Sequence, residues 1–380
     1  MKLSRQIIAT VLMFACAWQV FAAVDVVPAP PQIDATSYIL LDANSGQILT
    51  TKDADKRIEP ASLTKIMTAY VVEHEIARGT ISMDDEVPIS VKAWKMHGSR
   101  MFVREGTKVP LRKLMLGMIV QSGNDASVAL AEYTAGSEDS FVTLMNQYAK
   151  RLGMKNTHFA NCTGWPHKNH YSTAHDLAIL TRALIHEFPK QYAMYKIKDF
   201  TYNNIHQSNR NRLLWVDDRV DGVKTGHTES AGYCLIASAK DKDMRLISVV
   251  TGTDSERARE SSSRKLLGYG FRFYESHKLY DAHQALTQWD VWKGAKDQVP
   301  LGLDRSLYVT IPRGRRGDIN AQMNVNARIT APVTKGADYG TVKIRLGDDT
   351  LVERPLVALE EVPVGGLWTR MIDSIVLLFK

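Results

Sequence analysis

The chain has 380 residues, enough for two domains, and its 44% hydrophobic and 23% charged content is that of a folded protein rather than a disordered tail. Three cysteines exclude both a disulfide-stapled mini-domain and a four-cysteine zinc module. A formal charge of +7 is compatible with an anionic surface or substrate without demanding one.

The first 22 residues read as an export signal. Lys2 and Arg5 supply the positive start, and Ile7 to Ala17 form an apolar run too short to span a bilayer. Ala22 and Ala23 offer small residues for cleavage. Losing Lys2 and Arg5 lowers the net charge from +7 to +5. Two weaker readings of this segment are a lipoprotein cysteine at Cys16 and a buried N-terminal helix. Export places the mature protein outside the cytoplasm. There Cys162 and Cys234 either pair or serve as small buried hydrophobes.

Residues 38–49 hold two apolar runs around Asn44, Ser45 and Gly46, a hairpin signal. Residues 62–78 place Leu63, Ile66, Met67, Tyr70, Val71 and Ile76 at the spacing of a mostly buried helix. Further helices are expected over 111–120, 126–133, 141–152 and 174–187. Buried strands follow at 233–238 and 245–251, then a closing helix at 261–274. From about residue 286 the pattern becomes short alternating strands, including 307–311, 325–329 and 341–346. The expected organisation is a catalytic domain over 30–275, an all-β domain over 284–364 and a terminal helix over 365–380.

That last segment follows Gly365 and Gly366. Trp368, Met371, Ile372, Ile375, Val376 and Phe379 recur at helical spacing, opposite Thr369, Arg370, Asp373 and Ser374. It suits a helix lying in a headgroup plane, with packing on its own domain as the alternative.

Three short motifs carry the chemistry. Ser62 and Lys65 stand three apart at a helix start, so the amine reaches the hydroxyl. Serine is a weak nucleophile until a base takes its proton, and a desolvated lysine among cations is neutral enough to do so. Ser122 and Asn124, in a break between helices, offer a hydroxyl for proton relay and an amide to orient Lys65 and a substrate. Lys224, Thr225 and Gly226 precede a strand. They supply a positive charge for a substrate carboxylate, a hydroxyl, and room for close backbone approach. Ser62 alone reads as an N-cap, Asn124 and Asp125 as another cap, and Lys224 as a solvated turn lysine; the ordered set of three overrides these readings. A second Ser-x-x-Lys at Ser262 to Lys265 reads as a solvated helix face.

Other features read as structural. His167, His170 and His175 have metal-like spacing, but Pro166, Lys168 and Asn169 suit a surface loop. His74 and Glu75 lack the second histidine of a zinc-protease helix. Arg313, Arg315 and Arg316 form a solvated basic turn rather than a nucleic-acid site, with contact to anionic lipid or wall polymer as the alternative. Met96, Met101, Met115 and Met118 are packing residues. No metal, cofactor or nucleic-acid partner is expected.

The sequence resembles the serine-type D-alanyl-D-alanine carboxypeptidases among the low-molecular-mass penicillin-binding proteins. The likeness rests on PASLTKIMT at 60–68, QSGNDA at 121–126, NRNRLLW at 209–215, DGVKTGHT at 221–228 and KLLGYGFRFY at 265–274. Residues 215–221 run one residue short of the family pattern. The resemblance implies an α/β, β-lactamase/transpeptidase-like catalytic domain, with an antiparallel sheet, helices on both faces and a helical subdomain, followed by the all-β domain as a stalk. It implies Ser62 as acylated nucleophile, Lys65 as base, and Ser122 and Asn124 as proton relay and substrate orienter. Lys224, Thr225, Gly226 and His227 would bind substrate, with the Ser62 and His227 N–H groups as oxyanion hole. Arg210 and Arg259 match arginines near the family's site; for the latter, Arg257 is an alternative match two residues away. The implied partners are peptidoglycan stem peptides, β-lactams and the outer face of the inner membrane, in the periplasm. A DD-endopeptidase, a β-lactamase and a non-catalytic wall-organising protein are the rivals.

Overall fold

The computed structural model describes residues 27–379 except 326–327. The expected export signal therefore lies outside the described residues. A five-stranded antiparallel sheet organises the first domain. Its spatial order is Ile48–Lys52, Ser37–Asp42, Met244–Thr253, Gly232–Asp241 and Val220–Thr228.

Both faces of this sheet are covered, which explains why its strands read as nearly continuous apolar runs. Alternate side chains enter different cores. Ile39, Leu41, Ile236, Ile247 and Val249 face the helices Lys65–Ala77 and Ala174–Glu187. Leu40, Leu235, Leu246 and Val250 face the helix Glu256–Phe273. That helix starts five residues before its predicted boundary. Ser255 caps it by accepting from the Ala258 N–H, a polar signal that apolar periodicity does not register. Its Ser262 and Ser263 are buried, so the second Ser-x-x-Lys is not a solvated face; only Arg264 and Lys265 are exposed.

The helices Leu111–Val120, Asn124–Ala135 and Glu138–Arg151 form a helical subdomain against Lys65–Ala77. Met101, Met115 and Met118 lie in its core, and Met96 packs against it.

The second domain is all-β. A six-stranded sheet runs in the order Ile319–Val325, Asp338–Leu346, Asp349–Ala358, Gln298–Gly302, Ala285–Trp292 and Ile329–Thr330. The predicted strand over 325–329 is not one element. Val325 ends a strand at one end of this order and Ile329 opens a strand at the other. The basic turn is also not merely solvated. Arg313 Nη2 donates to the carbonyls of Phe271 and Tyr274, and its N–H bonds the carbonyl of Phe273. It thus satisfies the orphan carbonyls at the end of Glu256–Phe273 and ties the two domains together.

The terminal helix Leu367–Val376 buries none of its residues. Leu367, Trp368, Met371, Ile372 and Ile375 are exposed, while Asp373 accepts a hydrogen bond from the Lys293 N–H. Among the described residues no helix is long and apolar enough to cross a membrane.

Candidate active site

Pro60 leads into a 3-10 turn over Ala61–Thr64, and the α-helix begins at Lys65. A 3-10 turn has three residues per revolution, so positions i and i+3 eclipse. Lys65 Nζ accordingly stands 3.0 Å from Ser62 Oγ. Lys65 is buried, and Nζ also bonds Asn124 Oδ1 at 2.8 Å and the Thr163 carbonyl at 2.6 Å. Burial lowers its pKa to about 7, and the charge of Arg210 pushes the same way, against Cys162 and Asp125.

Two glycines let neighbouring segments close on this turn. A β-carbon at Gly164 would fall 1.7 Å from the Ala61 carbonyl oxygen and 3.0 Å from the Ser62 nitrogen. One at Gly226 would meet the Pro60 carbonyl at 3.1 Å and Leu63 at 3.2 Å. The space freed at Gly226 thus admits the nucleophile's own turn.

Asn124 is fixed on three sides. Its N–H bonds the Ser99 carbonyl, Nδ2 bonds the His97 carbonyl, and Oδ1 takes the lysine. Ser122 sits at φ +66 in the break before it, buried, and its hydroxyl has no hydrogen-bond partner among the described residues. Asp125, read from sequence only as a cap, accepts from four N–H groups, those of Met101, Phe102, Val103 and Ala126. It pins the loop that carries Gly98 and Ser99 to the cleft.

Lys224 lies on the edge strand Val220–Thr228, buried, with Nζ bonded, among the described residues, only to the Thr225 carbonyl. It is not a solvated turn lysine. Burial, then the charges of Lys65, Arg210 and Arg259, hold its ammonium well below the usual lysine range. Arg259 is buried and bonds the Gly226 carbonyl at 3.4 Å, whereas Arg257 is exposed, which distinguishes the two arginines. Arg210 is exposed. Thr225 is buried, and His227 is exposed with its ring 4.1 Å from that of Tyr233. Ser62, Asn124, His227, Thr163 and Trp165 line one cleft of about 640 Å³.

Three contributors escaped the sequence reading. Thr163 offers a backbone carbonyl, which leaves no trace in residue identity. Its loop is shaped by Asn161, whose Oδ1 accepts from the N–H groups of Thr163, Gly164 and Trp165. The Asn-x-x-Gly pattern was the available turn signal. His170 is buried, contrary to the surface-loop expectation for this stretch. Its Nδ1 accepts from the Ala160 N–H, so the proton sits on Nε2 and is donated to Thr64 Oγ1 at 2.8 Å. Burial lowers its pKa to about 4. Both ring nitrogens are thereby committed. Cys162 and Cys234 are free, buried thiols rather than a pair.

Residues 24–255 match the model of the S11 peptidases, the D-alanyl-D-alanine carboxypeptidases. The chain belongs to that family. Residues 274–364 of this carboxypeptidase-family chain match the C-terminal domain of penicillin-binding protein 5. It is 45% identical over 361 residues to D-alanyl-D-alanine carboxypeptidase DacA of Escherichia coli (strain K12), covering 93% of this chain and 90% of the relative. It is 36% identical to DacF of Bacillus subtilis (strain 168), over 88% of each chain. The structure of penicillin binding protein 5 from Haemophilus influenzae superposes with a TM-score of 0.83 at 42% identity, covering 88% of this chain and 99% of that one. Sheet, covering helices and all-β domain together make the fold that of the penicillin-binding proteins.

Proposed function

We propose that this chain is a serine-type D-alanyl-D-alanine carboxypeptidase. It removes the terminal D-alanine from peptidoglycan stem pentapeptides through an acyl-enzyme on Ser62, and β-lactams acylate the same hydroxyl. The observation that carries this reading is the threefold environment of Lys65 Nζ. An ammonium has three protons and an amine has two protons and a lone pair. Asn124 Oδ1 and the Thr163 carbonyl can only accept. When Lys65 is neutral, its two N–H groups go to those oxygens and its lone pair is left for the Ser62 hydroxyl. The base is aimed by its neighbours.

Lys65 takes the Ser62 proton as Oγ bonds the substrate carbonyl carbon. The N–H groups of Ser62 and His227 would hold the developing oxyanion. The C–N bond then breaks, and the departing D-alanine amine receives a proton from Lys65, relayed by the unpartnered Ser122 hydroxyl. Water reverses the sequence to release the acid. The terminal carboxylate of the substrate would enter beside Lys224, Thr225, Arg210 and Arg259. Lys224 has no acidic ion-pair partner among the described residues, so an anion there relieves mutual repulsion.

The terminal helix would hold the enzyme on the outer face of the inner membrane, in the periplasm. Six exposed apolar side chains on that helix, at about 1.5 kcal/mol each, make roughly 9 kcal/mol available on insertion.

The test is intact-mass analysis after penicillin, alongside D-alanine release from a pentapeptide. Wild type should gain one penicillin mass on Ser62 and release D-alanine, and Ser62→Ala should do neither. A covalent adduct on the Ser62→Ala protein refutes the nucleophile. Rapid steady-state penicillin hydrolysis marks a β-lactamase instead.

A further inference from the structure

A second cleft, of about 680 Å³, lies where the two domains meet. Its catalytic-domain wall carries Arg151, at the end of Glu138–Arg151, and Arg182 on Ala174–Glu187. Its other wall carries Arg305 and Tyr308 from the all-β domain. Among the described residues none of the three arginines has a carboxylate partner within ion-pair distance, and the side chains of Arg151 and Arg305 make no hydrogen bond. Arg182 donates from Nε and Nη2 to the carbonyls of Ala43 and Asn44, which anchors its guanidinium and leaves Nη1 unbonded. The one acid on the wall, Glu187, is engaged by the Tyr70 hydroxyl and lies 3.4 Å from His74. Burial, then the charge of Arg305, lowers the pKa of Arg182, against the opposing charge of Asp42.

We infer that this interdomain cleft is a binding site for a phosphate group, held by Arg151, Arg182 and Arg305. Guanidinium forks match oxyanions in geometry and charge. A carboxylate offers two coplanar oxygens, which one fork saturates. Three forks arriving from two domains suit a tetrahedral anion with oxygens on several sides. Such a ligand bridges the domains and sets how the catalytic cleft stands on its stalk.

The group comes from inorganic phosphate, a phosphorylated saccharide, or a lipid headgroup. Position disfavours the lipid. Arg305 lies by the Leu303 and Ser306 end of the Ala285–Trp292 hairpin, where Leu303 and Ser306 bond His283 and Ala282. The terminal helix attaches at the Lys293 end. Eight residues of strand separate these ends, roughly 25 Å.

The test uses the full chain and its Arg151→Ala, Arg305→Ala double variant, which removes two side chains that bond nothing in the fold. Calorimetric titration with inorganic phosphate at constant ionic strength should saturate for wild type, and the double variant should bind at least tenfold more weakly. Both proteins should melt at the same temperature without phosphate, and both should float equally with vesicles of an anionic phospholipid. No saturable heat, or equal phosphate affinity in the two proteins, overturns the site. A parallel loss of vesicle binding in the variant overturns the soluble-phosphate assignment and makes the headgroup the ligand. Failure here leaves the Ser62 acylation result untouched, so the two readings fail separately.

Discussion

The Thr163 carbonyl lies 2.6 Å from Lys65 Nζ, nearer than the Ser62 hydroxyl at 3.0 Å. A residue whose side chain takes no part in this contact thereby directs the lone pair of the base.

Acylation should follow the neutral fraction of Lys65, whose pKa is lowered to about 7. The neutral amine is the working form, so the second-order rate of penicillin acylation should fall tenfold per unit below pH 7 and level off above about pH 8. Arg210 is one of the charges holding that pKa down. Arg210→Ala should therefore move the acid limb to higher pH while raising KM. A limb that stays in place would separate Arg210 from the base.

Gly164→Ala should disable the nucleophile. Its β-carbon would lie 1.7 Å from the Ala61 carbonyl oxygen, at a φ of +85. The Ala61–Ser62 peptide must move, and misplacement of about 1 Å costs on the order of 100-fold. Stopped-flow acylation, at temperatures where circular dichroism is native, measures it.

Asp125→Asn should destabilise the chain by about 2 kcal/mol. The carboxylate accepts from four N–H groups, whereas an asparagine amide turns one of its two acceptors into a donor facing donors. The urea midpoint should fall, with a larger fall in kcat/KM as the Gly98 and Ser99 loop loosens.

Glu73→Gln should stabilise the protein at neutral pH. Glu73 is buried on the Lys65–Ala77 helix, both oxygens are unbonded among the described residues, and burial raises its pKa to about 8. Between about pH 4.5 and 8 the unfolded chain has lost this proton while the folded one keeps it, so stability falls as pH rises. The gain from the variant should be on the order of 3 kcal/mol at pH 7 and vanish near pH 4.5. Thermal melts at both values check it.

Deleting residues 367–380 should release the protein from vesicles while its peptidase activity stays unchanged, because the helix Leu367–Val376 buries no residue in the all-β domain. Flotation that persists after deletion would place attachment elsewhere.

Periodicity and short spacing are properties of neighbouring residues, so the sequence alone determined what they govern. Ser62 and Lys65 share a turn, Ser122 and Asn124 break two helices, the texture changes to β, and the terminal helix is two-faced. The strand over 325–329 failed because alternation cannot show that Val325 and Ile329 belong to different strands, at opposite ends of the sheet order. Tertiary structure decided the rest. Thr163 reaches Lys65 across 98 positions, His170 reaches Thr64 across 106, and Gly164 is needed only because the Ala61 carbonyl happens to meet it. Backbone carbonyls and close approaches carry no residue signature; they exist only once distant segments have packed.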